Sequence, residues 1–351
     1  MSINPKANLI LALFAQEIKK MGTRDGFGRG LVKAGEKNKK VIVLSADLTE
    51  STRARWFQEK FPERFIDVGV AEQNMASLAA GLSAVGKVPF ICSFAIFNTG
   101  RNNEQIRTTI SYNNWESKKG QEVNVKIAGG HAGFSADLDG ATHQALEDVA
   151  LMRVQPGMMV VVPCDALECE RATIALAHKA GPAYIRFGKA ATALFTTEKT
   201  PFTIGQIEEF RAGKDCTIVA NGPLVYEALL AAEKLKKEID CQVLNCHTVK
   251  PLDEKILLKA VKESGCVVTA EEHQIMGGLG GAVAEFLSET YPVPVLRIGV
   301  RDSFGESGTY EELTKKYGLK ADDIVKAVRE AVKMKKNAGI KSIEKVKKKY
   351  K

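Results

Sequence analysis

Two histidines, His131 and His143, stand twelve residues apart at either end of a glycine-rich segment that also carries Asp139. One histidine alone would be most simply a structural residue. A pair flanking an acid in one flexible loop is a better candidate for a site. Four further places hold groups that acid–base or ligand chemistry uses. Glu72 sits at the start of a helical pattern, where the helix dipole by itself favours a carboxylate. Phe94 and Phe97 are spaced i, i+3, as core residues or as the wall of a pocket. Asp47 and Leu48 follow a short apolar run. Arg24 and Lys189, taken singly, read as solvated surface cations.

The elements between them give these residues a common place. Short β-branched runs are expected as strands at Val41–Leu44, Phe65–Val68, Val88–Ser93, Val123–Ala128, Met158–Val162 and Tyr184–Phe187. Segments apolar at helical spacing lie between them, among them Gln73–Val85, rich in alanine, and Ala166–Ala180. Strand–helix alternation predicts a parallel sheet covered on both faces. In such a sheet the carboxyl ends of the strands share one edge, where ligands bind. Asp47, Glu72, Phe94, Phe97, His131, Asp139, His143 and Lys189 each follow one of these strands, so one edge collects carboxylates, imidazoles, aromatics and a cation. A second strand series, Thr217–Ala220, Gln242–Leu244, Val267–Ala270 and Val295–Ile298, begins past Pro201. The expected organisation is a parallel-sheet domain over residues 1–195, a smaller α/β domain over 200–335, and a basic tail over 336–351.

Several motifs resemble one family. The segment Gly69-Val70-Ala71-Glu72-Gln73-Asn74 is similar to the one carrying the catalytic glutamate of transketolases and 1-deoxyxylulose-5-phosphate synthases. The loop from Gly129 to Gln144 is similar to the transketolase loop whose two histidines and aspartate face the sugar. Ser45-Ala46-Asp47-Leu48 resembles another family stretch, with Ser51 at a phosphate-contact position. Arg24 matches a phosphate-holding arginine, and Lys189 stands where relatives usually place arginine, keeping the charge but not the bidentate fork.

The resemblance implies an α/β pyrimidine-binding domain for thiamine diphosphate followed by a transketolase C-terminal domain. It implies that Glu72 contacts N1′ of the cofactor's aminopyrimidine and favours its imino tautomer. Burial is expected to keep a proton on that carboxyl near neutral pH. Phe94 and Phe97 would wall the pyrimidine, beside Asp47 and Leu48. His143 would bind and polarise the hydroxyketone, Asp139 would accept a hydrogen bond from a donor hydroxyl, and His131 would lie towards the phosphate. Arg24, Ser51 and Lys189 would hold that phosphate. The implied reaction, of the pentose phosphate pathway type, moves a two-carbon ketol unit from a ketose phosphate to an aldose phosphate. The alternatives are a subunit of a deoxyxylulose-phosphate-synthase-like or 2-oxo-acid dehydrogenase enzyme, or a non-catalytic regulatory subunit.

The Gly-Asp-Gly motif with which this family holds Mg²⁺ and the diphosphate does not occur in the sequence. The expectation is therefore a split enzyme. An N-terminal partner subunit would supply most of the Mg²⁺ and diphosphate ligands, most simply in an α₂β₂ assembly, and this chain would hold no metal by itself.

Composition sets the remaining bounds. The net charge of +8 is matched by the stretch from Lys333 to Lys351, with nine lysines and one acid, so the rest of the chain is neutral on balance. A basic nucleic-acid face is not expected, nor is a membrane span. Seven cysteines without a Cys-x-x-Cys pattern read as reduced, structural thiols, and the default location is cytoplasmic. Gly277-Gly278-Leu279-Gly280-Gly281 mimics a phosphate loop but lacks its spacing and lysine, and is expected to serve tight packing.

Overall fold

The computed structural model describes residues 3–118 and 120–349, with side chains to residue 337. Among the described residues, fourteen strands form three sheets. Up to residue 195 they are β1 (Lys20–Gly22), β2 (Val41–Ser45), β3 (Phe65–Asp67), β4 (Val88–Phe94), β5 (Lys126–Gly130), β6 (Met159–Val161), β7 (Ala183–Arg186) and β8 (Ala191–Ala193). Beyond it come β9 (Glu208–Arg211), β10 (Cys216–Ala220), β11 (Cys241–Asn245), β12 (Thr248–Lys250), β13 (Val267–Gln274) and β14 (Val295–Val300). The large sheet runs in the order β12-β6-β7-β5-β4-β2-β3, and the second β14-β13-β10-β11-β9.

Within the large sheet all pairings are parallel except that of the edge strand β12, which adds antiparallel to β6. To the expected parallel sheet the second half of the chain thus adds one antiparallel edge strand. β4 is buried along its whole length, as befits a central strand whose run Val88–Phe94 is apolar almost throughout. Elsewhere in this unit, helices pack with little between them. In the helix Thr23–Lys37, a Cβ on Gly26 would lie 1.9 Å from the Ala166 carbonyl oxygen, and one on Gly30 would lie 2.6 Å from Thr173 Cβ. Glycine is what lets that helix approach Ala166–His178. On Glu72–Ala84 the alanines Ala76 and Ala79 face the core with Met75.

The second core is built by β10, β11, β13, β14 and the helices over them. The segment at the start of the chain belongs to it. Asn4 N–H donates to the Phe210 carbonyl at 2.9 Å, and Ala7 and Leu13 are buried in this core, so residues 3–13 do not sit with the domain expected to begin at residue 1. The physical reason is that the β9 edge offers this segment unpaired backbone groups and an apolar face. The small β1–β8 pair, not expected from the sequence, brackets the first unit antiparallel. A helix runs Ala321–Lys349, so the lysine-rich tail continues an ordinary amphipathic helix; its side chains from residue 338 lie outside the described residues. All seven cysteines are free and buried. Among the described residues, no helix is long and apolar enough to cross a membrane.

Candidate active site at the carboxyl edge of the large sheet

Five parallel strands, β3, β2, β4, β5 and β7, end on one edge, and the residues that follow them meet there. Glu72, in the first turn of its helix after β3, is 1 % exposed. Ser93 Oγ on β4 donates to its Oε1 at 3.0 Å, and Arg101 Nη1 donates to Oε2 at 2.7 Å. The carboxyl is buried as expected, and in addition it is supplied with a hydroxyl and a guanidinium. The helical run after β4 is the cause. It turns as a π-helix over Phe97–Arg101, a form common at functional sites, and brings Arg101 back over the start of the Glu72 helix. The same guanidinium lies 4.4 Å from the centre of the Phe97 ring.

The aromatic and imidazole groups form one contiguous cluster. Phe94 and Phe97 stack at 6.0 Å, and His131 lies flat on Phe94 at 4.0 Å. The edge of His143 meets Phe97 at 5.3 Å and Phe94 at 6.1 Å. Thus Glu72, Phe94, Phe97, His131 and His143 are brought together from three strand ends. His131 has its Nδ1 buried and without a partner among the described residues. Burial, then the charges of Arg24 and Lys189, pushes its imidazole down to about 3, so it is neutral at working pH. His143 is half-buried, its Nδ1 2.9 Å from Thr142 Oγ1.

A second group lies beside His131. Arg24 is held at the end of β7, its N–H donating to the Gly188 carbonyl at 3.0 Å and its Nη1 to the Ser51 carbonyl at 3.2 Å. Lys189 Nζ is 4.0 Å from Asp137 Oδ2. Burial lowers the Arg24 guanidinium below its ordinary range, with Arg53 adding to the effect. Three other expected residues lie outside the aromatic and imidazole cluster. Asp139 is exposed at the tip of the loop. Asp47 and Leu48 turn off the end of β2, their amides held by Asp67 and Ser45 at 3.2 and 3.3 Å and not by the aromatic cluster.

The loop carrying the histidines is fastened by the second half of the chain. Phe134 N–H donates to Glu272 Oε1 at 2.6 Å, and the Tyr310 hydroxyl donates to Glu272 Oε2 at 3.0 Å. Gln144 Nε2 bridges the Asp137 and Glu306 carbonyls at 3.1 and 2.8 Å. Sequence reasoning passed over Ser93, Arg101, Asp137, Glu272 and Tyr310 as site residues. Ser93, adjoining Phe94, Arg101, four residues after Phe97, and Asp137, between the two histidines, stood beside residues already singled out, whereas Glu272 and Tyr310 carried no local signal. The glycine-rich Gly277–Gly281 stretch is occupied from within: the Leu279 and Gly280 amides donate to the Glu271 carboxylate at 2.7 and 2.8 Å. That helix start has its anion already.

Comparison with known proteins gives the chain a family. The family pattern described as "Transketolase, pyrimidine binding domain" matches residues 19–193, and "Transketolase, C-terminal domain" matches 205–324. A 6-deoxy-6-sulfo-D-fructose transketolase subunit from Clostridium sp. (strain MSTE9) is 41% identical over 92% of this chain and 98% of its own length. An apulose-4-phosphate transketolase subunit from Phocaeicola vulgatus is 35% identical over 88% of this chain and 97% of its own. Against the full-length transketolase of Rattus norvegicus the chain is 36% identical but spans 49% of that protein. A solved structure titled "Split gene transketolase, inactive beta4 tetramer" is 44% identical with a TM-score of 0.80, covering 90% of this chain and 99% of that one. The chain therefore belongs to the transketolase family, of which it carries the pyrimidine-binding and C-terminal domains.

Proposed function

We propose that this chain is the C-terminal subunit of a two-subunit, thiamine-diphosphate-dependent enzyme that transfers a two-carbon ketol unit between phosphorylated or otherwise anionic sugars. The observation that carries the reading is the single cluster of a buried carboxylate, an aromatic wall and two imidazoles beside a pair of cations. Relatives of matching length are named as subunits, which supports an N-terminal partner holding Mg²⁺ and the diphosphate, most simply as α₂β₂.

The residues present fit the pyrimidine end of the cofactor. Phe94 and Phe97 offer apolar ring faces, and Glu72 offers a buried carboxyl beside them. The bound cofactor would supply the carbon nucleophile and hold the electron pair released when the sugar's carbon–carbon bond breaks. Glu72 would bind a ring nitrogen and stabilise one tautomer. Arg101 is the group that has to yield Oε2 for this, and its side chain, 44% exposed, has solvent to withdraw into. His143, at the rim, would hydrogen-bond the substrate's carbonyl or hydroxyl. Neutral His131, with a free Nδ1, would orient a sugar hydroxyl and not act as a cation. Arg24, Ser51 and Lys189 would bind the anionic end, and Asp139 a donor hydroxyl.

The test is a coupled assay on the purified chain with thiamine diphosphate and Mg²⁺, alone and then with a partner carrying Gly-Asp-Gly. Ketol transfer is expected only from the mixture. In that mixture Glu72→Gln should assemble normally but lose about 10²–10⁴-fold in rate. Turnover by the isolated chain, or near-wild-type turnover by the variant, would sink the assignment.

A further inference from the structure

The cation pair beside His131 contains a carboxylate of its own. Asp137 stands 4.0 Å from Lys189 and within electrostatic reach of Arg24, with exposed Asp139 nearby. Arg53, the next cation, does not make up for it. It is close enough to depress Arg24 and His131, but its Nε is 2.8 Å from Asp25 and its Nη1 3.1 Å from Glu50. His131 is neutral. With Asp137 ionised, the pocket formed by Arg24, Lys189 and Asp137 carries one net positive charge, not two.

The backbone at Asp137 is held in an unusual conformation. Its φ of 55° and ψ of −122° fall in a region that glycine enters freely and other residues enter under strain. Its neighbours hold it there: its carbonyl accepts from Gln144 Nε2 at 3.1 Å and from the Gly140 amide at 3.2 Å. Glycine would relieve the strain and lose only the carboxylate. What the strained residue adds to the pocket is negative charge directed at the cations.

We propose that Asp137 is a specificity residue that tunes this pocket to a singly charged head group on the ketose, a sulfonate or a monohydrogen phosphate, against the phosphate dianion. The proposal rests on the reading of Arg24 and Lys189 as the anion-binding end of the substrate site. The reason is Coulombic. The two cations attract a dianion about twice as strongly as a monoanion, and the carboxylate takes back a share of each in the same proportion. It therefore removes about twice as much from the dianion and narrows its advantage. The steeper cost of stripping water from a double charge then favours the monoanion. Building a repulsive group against the unwanted ligand is a general route to selectivity.

The experiment uses the two-subunit enzyme and three ketoses that differ only at C6, bearing a hydroxyl, a sulfonate or a phosphate. KM is measured at pH 8, where the phosphate is a dianion, for the wild type and for Asp137→Asn. Asparagine keeps the shape of the side chain and tolerates positive φ, so it removes charge alone. The ratio of phosphate KM to sulfonate KM is expected to fall about tenfold in the variant. A ratio unchanged within about twofold would overturn the proposal and leave Asp137 as a structural residue. If the uncharged ketose matches both anions in KM in both proteins, the anion-pocket reading fails first, and the proposal with it. Calorimetric competition with inorganic sulfate and methanesulfonate reads the same ratio without turnover: a variant that gains no preference for sulfate refutes it equally.

Discussion

His131 and His247 are buried imidazoles that share one response to acid. Both are pushed down to about 3, in each case first by burial, with Arg24 and Lys189 adding at His131 and Arg171 at His247. In the unfolded chain a histidine titrates near about 6.5. As the pH falls, the unfolded state therefore takes up protons that the folded state refuses. Each histidine's contribution is complete above that value and is lost progressively as the pH drops towards 3. Glu168 works in the opposite sense, since burial raises its carboxyl to about 7 and favours the folded, protonated form as the pH falls through that value. The total slope is thus a sum of opposed parts, and the difference between variants is the informative quantity. Between pH 7 and pH 5, urea unfolding of His247→Gln should lose about 2 kcal/mol less than the wild type. Parallel pH dependences of the two proteins would show that His247 is not held neutral.

Among the elements, the last helix has a functional boundary inside its lysine-rich stretch. Val332 is buried, and Lys335 Nζ donates to the carbonyls of Asp215 and Ser264, both at 2.8 Å, at the ends of the second sheet and its helix. The structural part of the helix therefore extends through Lys335, and a tail beginning at Lys333 would cut into it. Removing residues 338–351 should leave the urea midpoint essentially unchanged. Removing 333–351 should cost about 1–3 kcal/mol, because two carbonyls lose a charge-assisted donor. Equal midpoints for the two truncations would rule out a role for Lys335. The same economy of contact appears where Gly26 and Gly30 let two helices touch backbone to backbone.

At the scale of the whole molecule, the two halves are fastened through a buried ionic network. Arg186 Nε and the Tyr184 hydroxyl both donate to Asp148 Oδ2, at 2.7 and 2.6 Å, while Arg186 Nη2 reaches the Glu272 carbonyl at 2.9 Å. β12 adds to the first sheet, and the Val162 amide donates to the His247 carbonyl at 2.7 Å. The expected consequence is one cooperative unfolding transition in spite of two sheets. Trp56 and Trp115 report on the first half, and far-ultraviolet circular dichroism on both. Asp148→Ala strands the Arg186 charge in the interior and should cost about 3–5 kcal/mol. Separate transitions by the two probes in the wild type would show that the halves fold independently, and a negligible effect of Asp148→Ala would show that the network is dispensable.

The order of strands and helices was legible in the sequence because it depends on local patterning. β2, β4, β10 and β13 all grow from short apolar, β-branched runs, and the Glu72 helix from alanines at helical spacing. From that order alone it follows that Glu72, Phe94, Phe97, His131, His143 and Lys189 lie at one sheet edge. β1, β8 and β12 are three residues each with no longer apolar run around them and leave no period, whereas the equally short β3 and β6 lie inside the runs Phe65–Val68 and Met158–Val162. What only the tertiary structure decided is which groups touch: Arg101 on Glu72 across 29 residues, Glu272 on the Phe134 amide across 138, Asp137 beside Lys189, and Lys335 on Asp215 across 120. A residue's type and its neighbours in the chain report whether it is buried. They carry no record of a partner contributed by another element, because that pairing is set by how whole helices and sheets pack.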